Sequence, residues 1–194
     1  MKRFLLACLI PCSLYAQDLD LVQRISAFQL DMSADYKVKT LNLGGESIGA
    51  IDKEEPKFRT DFKLEGLVRK NDNLDRKVKY SVFLHIFEFE DIDELNWAMK
   101  RWLPNFIDGS SIRPGRDART VDHVDPAVVV IEGTTVTILT FPCPQFSIDY
   151  FRDWRSKMLT YFGSPSSVMI EVSGCEGPLR WTKNPPASTD RTWK

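Results

Sequence analysis

The chain has 194 residues, with 26 Lys+Arg against 27 Asp+Glu and 2 His, and a formal net charge of −1. That length suits one domain with at most an appendage, and 43% hydrophobic with 27% charged residues is ordinary globular composition. The charge balance removes the usual electrostatic argument for nucleic acid or an anionic membrane, and no run of about 18 apolar residues offers a spanning helix.

The first segment reads as an address. Lys2 and Arg3 form a positive n-region, Phe4 to Ile10 a short apolar core, and Pro11 breaks it. Ser13-Leu14-Tyr15-Ala16 ends in a small residue. This is the layout of a secretory signal peptide cut after Ala16, which predicts an exported protein, periplasmic or secreted. Leu5-Leu6-Ala7-Cys8 has lipobox residue types, but its apolar stretch falls short of the usual h-region of roughly 7 to 15 residues. Intact-mass measurement of exported material is expected to find a chain starting at Gln17. A chain keeping Leu5 to Tyr15, or one acylated on Cys8, overturns that expectation. Cys8 and Cys12 leave with the signal, so Cys143 and Cys175 remain. An even pair in an oxidising compartment predicts a disulfide.

Gln17 to Leu30 predicts a helix, with Asp18 as cap and Leu19, Val22, Ile25 and Phe28 at helical spacing. Tyr36 to Leu43 alternates as a strand; Gly44, Gly45 and Gly49 mark turns. Phe62 to Val68 alternates again, and Asn71-Asp72-Asn73 signals a turn. From Val78 to Phe89 both faces are apolar: Val78, Tyr80, Val82, Leu84 and Ile86 on one, Phe83, His85, Phe87 and Phe89 on the other. Such a strand is central and covered on both sides.

Asp91 and Glu94 have capping-box spacing, and Ile92, Leu95, Ala98, Met99, Trp102 and Phe106 form the buried stripe of a second helix that Pro104 stops. Asn105 to Asp125 is a long polar connection. Ala127 to Ile131 and Thr134 to Phe141 flank Glu132-Gly133 as a hairpin. Ser147 caps a third helix carrying Phe151, Trp154, Met158 and Phe162, with Gly163 and Pro165 as the stop. Ser167 to Val172 is a final strand, and the tail from Asn184 is expected to be disordered.

The order from Val78 to Val172 is β-α-β-β-α-β. The fold class is therefore α+β, with a ferredoxin-like βαββαβ core over residues 78–172 and expected strand order 4-1-3-2. An N-terminal helix and extra strands would pack on it, with residues 17–77 as a cover segment and 17–183 as one domain. A bare sheet of this kind leaves one face open, so Gln17 to Lys70 is expected to cover Phe83, Phe87 and Phe89. A hairpin between the Phe62 strand and the Val78 strand would compete with that order. In the expected order the cysteines sit beyond strands separated by the first one, with Cα atoms starting roughly 9 to 10 Å apart. A bridge needs under about 7 Å, so their loops must converge below the first strand.

Arg113, Arg116 and Arg119 recur on a Gly/Pro loop, where guanidinium groups can grip a carboxylate or phosphate by paired hydrogen bonds. His123 lies among carboxylates in Val121-Asp122-His123-Val124-Asp125, without the further ligands a metal site needs. His85, between Phe83 and Phe87, reads as a packed histidine. Asn71 to Asp75 offers oxygen atoms but lacks the glycine and distal glutamate of a calcium loop. Gly44 to Gly49 lacks the Lys-Ser/Thr of a phosphate loop, and no G-x-S-x-G elbow is present. No cofactor is implied. The reading favoured is a non-enzymatic exported binding or interaction module, its partner a protein or a small anionic ligand met by Arg113, Arg116, Arg119 and His123. The alternatives are a small exported enzyme using His123 with Asp122 or Asp125, and a narrower anion-binding module using the three arginines.

Overall fold

The computed structural model describes residues 15–41, 51, 55–106, 113–119, 121 and 125–187. Helix α1 spans Tyr15–Met32, α2 Ile92–Phe106 and α3 Ile148–Phe162. The strands are β1 Tyr36–Leu41, β2 Phe58–Asn71, β3 Lys77–Glu88, β4 Ala127–Glu132, β5 Thr135–Thr140, β6 Val168–Val172 and β7 Leu179–Lys183.

Local chemistry sets the helix starts. The Asp91 carboxylate accepts the backbone N–H groups of Asp93 and Glu94, each at 2.9 Å, and Glu94 reaches back to the Glu90 N–H. At α3 the Ser147 hydroxyl accepts the Tyr150 N–H at 3.2 Å. Each cap satisfies donors that the first helical turn leaves orphaned. Pro104 lies inside α2 rather than ending it, and the helix continues to Phe106. Ile92, expected in its buried stripe, is exposed, whereas Leu95, Ala98, Met99 and Trp102 are buried.

All seven strands form one antiparallel sheet in the order β1-β2-β3-β5-β4-β6-β7. The central placement of β3 agrees with its two-sided apolar pattern. The expected 4-1-3-2 order does not hold. The β3-β5-β4 part follows it, but β6 pairs with β4 instead of lying beside β3. The place beside β3 is taken by β2, through a local hairpin. Its turn is fixed by Asp72, whose Oδ1 accepts the backbone N–H groups of Leu74 and Arg76 and whose Oδ2 accepts the Arg76 guanidinium. That guanidinium holds the Asp72 carboxyl below its ordinary pKa. A hairpin closes a short loop at small entropic cost, so it claims the β3 edge and leaves β6 the free edge of β4.

This placement decides where the helices go. The β3–α2–β4 and β5–α3–β6 crossovers advance in the same direction across the sheet, but β3 and β5 run oppositely. Right-handed crossovers then put the two helices on opposite faces. Accordingly α2 packs over Phe87, Val129, Ile138 and Ile170, while α1 and α3 pack over Leu64, Leu84, Ile86 and Val128. Phe87 and Phe89 are fully covered, but mainly from the α2 side, with Ile51 contributing from the N-terminal segment. The expected cover by residues 17–70 is corrected: α1 lies on the other face, where Phe28 packs against Phe162.

Beyond Gly174, β7 extends the sheet. The sequence analysis does not predict it as a strand; its Trp181 joins the core. The last residues described run to Ala187, and the Asn184 amide donates to the carbonyls of Pro165 and Ser167. The expected disordered tail otherwise lies outside the described residues.

Candidate functional site

The arginine loop runs along the edge strand β7 and is fastened to it by backbone bonds. Ala118 and Leu179 exchange two N–H to carbonyl bonds of 3.0 Å. The Trp181 N–H donates to the Asp117 carboxylate at 2.9 Å, and its indole N–H donates to the Arg116 carbonyl at 3.1 Å. Val121 N–H donates to the Glu176 carbonyl at 3.0 Å, which ties the loop beside Cys175. Gly115 adopts φ +71°, and a Cβ there would meet the Pro186 carbonyl oxygen at 1.9 Å, so only glycine fits.

Arg113, Arg116 and Arg119 are all exposed, and among the described residues none of their side chains forms an ion pair. Asp117, the nearest carboxylate in sequence, is engaged by Trp181 instead. The loop thus has a fixed backbone and outward guanidinium groups, an arrangement that can hold a carboxylate or phosphate. His123 and Asp122 lie outside the described residues. Asp125 is described, and its carboxylate accepts the Cys143 N–H at 3.0 Å, a structural use at the end of β5. Among the described residues no group of three or more His, Cys, Asp or Glu is placed to hold a metal ion.

Cys143 and Cys175 are bonded, with Cα atoms 5.6 Å apart. They follow the parallel ends of β5 and β6, and the strand between them is β4 rather than the expected β3. Their turns therefore converge below the start of β4.

A buried polar group escaped the sequence reading. His85 is directly opposite Asp61 in the β2–β3 ladder, and both are 3% exposed. The His85 Nδ1 lies 2.6 Å from the Asp61 carboxylate, which also accepts the Arg59 Nε–H at 2.8 Å. Arg59 in turn covers the Phe87 ring at 5.3 Å. Burial pushes the Asp61 carboxyl up, but the His85 and Arg59 hydrogen bonds outweigh it and hold the group below its ordinary value. The available signal was a carboxylate between Arg59 and Lys63 on the strand beside β3.

Clefts also mark the surface formed by the described residues. One, of about 280 Å³, lies between α1 and the β4–β5 turn, with Asp20, Arg24, Glu132, Thr134 and Phe162 in its wall. Another, of about 240 Å³, is lined by Tyr36, Tyr80, Tyr150, Lys70 and Lys157. Burial, reinforced by the neighbouring Tyr36, pushes the Tyr150 phenol far above its ordinary range.

The molecule is thus an α+β protein built on a seven-stranded antiparallel sheet with helices on both faces and one disulfide. No protein-family model, curated protein or solved structure matches this chain.

Proposed function

We propose that the protein is an exported, non-enzymatic binding module that takes an anionic ligand, or an acidic segment of a partner protein, on its arginine loop. The observation that carries this is the fastening of Arg116, Asp117, Ala118 and Val121 to β7 and its turn while Arg113, Arg116 and Arg119 stay outward. A backbone held in advance loses little freedom on binding, so guanidinium contacts translate more fully into affinity. The disulfide beside this loop, the absence of a helix long and apolar enough to cross a membrane among the described residues, and the N-terminal signal layout are compatible with export.

Calorimetric titration with inorganic phosphate and with a dicarboxylate tests the reading. The wild-type protein is expected to bind at least one of these probes, and Arg113→Ser/Arg116→Ser/Arg119→Ser to lose it. Each change should shift stability by no more than about 0.5 kcal/mol, as at ordinary surface sites. Unfolding of the triple variant would make the arginines structural and overturn the proposal, as would unchanged binding.

A further inference from the structure

The opposite edge of the sheet carries a second feature, independent of the arginine loop. Strand β1 ends its pairing at Tyr36 with Gly66, and β5 ends at Thr140 with Phe83. Beyond both neighbours, β2 and β3 continue as a two-stranded ribbon from Arg69 opposite Lys79 to Asn71 opposite Lys77. The ribbon is braced, not loose. The Asn73 N–H and side-chain amide donate to the carbonyls of Pro144 and Phe146, and the Ser81 N–H donates to the Gln145 side chain.

Strand register fixes which side chains share the α2 side of this region. Lys63 is opposite Lys39 on β1 and Phe83 on β3, and Glu65 is opposite Lys37 and Ser81. Arg69 with Lys79 and Asn71 with Lys77 complete the rows. Lys63 lies over the Phe83 ring at 5.6 Å and Lys79 stands 3.6 Å from Glu65, which ties these rows to one face. The core beneath α2 includes no residue of β1 or β2. Lys37, Lys39, Arg69, Lys77 and Lys79 are exposed, and Lys63 is half-buried.

Six cationic side chains thus share this face with the single exposed carboxylate of Glu65, although the whole chain carries a net charge of only −1. Among the described residues Lys37, Lys39, Arg69 and Lys77 form no ion pair. Two of the cross-strand pairs, Lys39 with Lys63 and Arg69 with Lys79, set like charges directly opposite each other. Such pairs destabilise a ladder. Lysine on an edge strand discourages pairing with foreign strands, which accounts for Lys37 and Lys39 on β1. That device does not explain Lys63, which lies between β1 and β3.

We propose that this face binds a linear phosphate polymer. The rows from Phe83 to Lys77 run about 20 Å along β3, three strands wide at the upper end and two at the lower. An extended acidic peptide lying on such a face turns a carboxylate to it only at every second residue, about 6.8 Å apart. A phosphate chain carries a charge on every link and so matches the closer spacing of the cations. Five of the six are lysines, compact point charges that attract phosphate without demanding one geometry. The only ring in the rows, Phe83, lies under the Lys63 ammonium, so the face offers no open platform on which nucleobases could stack. Bound polymer would also relieve the repulsion within the two like-charge pairs.

Fluorescence anisotropy with end-labelled linear polyphosphate tests the proposal on the mature protein. Six neutralised phosphates on a flexible chain give a plot of log affinity against log salt with a slope of about −4. Arg69→Gln/Lys77→Gln/Lys79→Gln should flatten that slope by about 2 and weaken binding about tenfold or more at low salt. Its Tm without polymer should be no lower than that of wild type, because a like-charge pair is removed. The variant lacking Arg113, Arg116 and Arg119 should bind polyphosphate like wild type, and the Arg69/Lys77/Lys79 variant should keep any phosphate or dicarboxylate binding at the arginine loop. Absence of binding, or a salt slope unchanged by the Arg69/Lys77/Lys79 changes, overturns the proposal. Loss of polyphosphate binding in the arginine-loop variant overturns it too, by assigning the polymer to that loop. Tighter binding of an oligoglutamate of equal charge would mark an acidic protein as the partner, and tighter binding of single-stranded DNA of equal charge would mark base recognition; either result refutes the assignment.

Discussion

Asp61→Ala should cost about 3–5 kcal/mol, the range for removing one partner of a buried charged pair, and equilibrium urea unfolding at neutral pH measures it. The cost arises because Arg59 and His85 stay in place with their donors aimed at a missing acceptor. Asp61 is almost wholly buried, so water cannot replace it without opening the β2–β3 ladder. The pH dependence has a defined sign. The carboxyl is held below its ordinary value of 3.8 by the hydrogen bonds from His85 and Arg59, which exceed the opposing effect of burial. A lowered folded-state pKa gives stability that is fully present above the unfolded value and lost as pH falls through the folded one. The difference between wild type and Asp61→Asn should thus stay level from neutral pH to about 5 and shrink below about 4. A loss under 1 kcal/mol, or a difference that grows on acidification, would show that Asp61 does not anchor this part of the sheet.

Loss of the Cys143–Cys175 bridge is the second large effect. The bond spans a sequence separation of 32 residues. For such a loop the chain-entropy model gives about 3–4 kcal/mol, less any native strain. Cys143→Ser/Cys175→Ser should accordingly lower Tm by roughly 6–16 °C for a domain of this size. The bridge joins the turn after β5 to the turn between β6 and β7, and Val121 is bonded to the neighbouring Glu176. The double variant should therefore also weaken anion binding at the arginine loop before the protein unfolds. Recovery of both cysteines as free thiols from exported material, by non-reducing peptide mapping, would refute the bridge as a native feature.

Local signals carried most of the element reading. Asp91 with Glu94, and Ser147 with Tyr150, form the caps that their spacing suggests, because capping depends on three or four adjacent residues. The two-sided apolar pattern in Val78 to Phe89 matches burial on both faces only from Leu84 onward; Val78, Tyr80 and Phe83 are partly exposed. The partner of β6 was not legible, since it depends on which strand first occupies the edge of β3, a competition between distant segments. Strand β7 was missed because only Leu179 and Trp181 face inward in a five-residue edge strand after Gly177-Pro178. The His85–Asp61 contact needed the register of two strands, which neither residue's neighbours specify. At the candidate site, the sequence pointed to the arginines, but not to the β7 backbone and Trp181 indole that hold their loop.

The strand order also says how the molecule can come apart. Its sheet is three locally closed pieces: the β1-β2-β3 meander, the β4–β5 hairpin and the β6–β7 hairpin, meeting at two long-range seams. The β4/β6 seam is stapled covalently by the disulfide. The β3/β5 seam has no disulfide among the described residues; its ladder, the two core clusters that cross it, the packing of α1 on α3 and the bonds from Asn73 and Ser81 to residues 144–146 hold it. Partial opening in proteins follows such cooperative units. The N-terminal piece is thus joined to the rest of the sheet without a covalent cross-link, while the arginine loop stays with the stapled half.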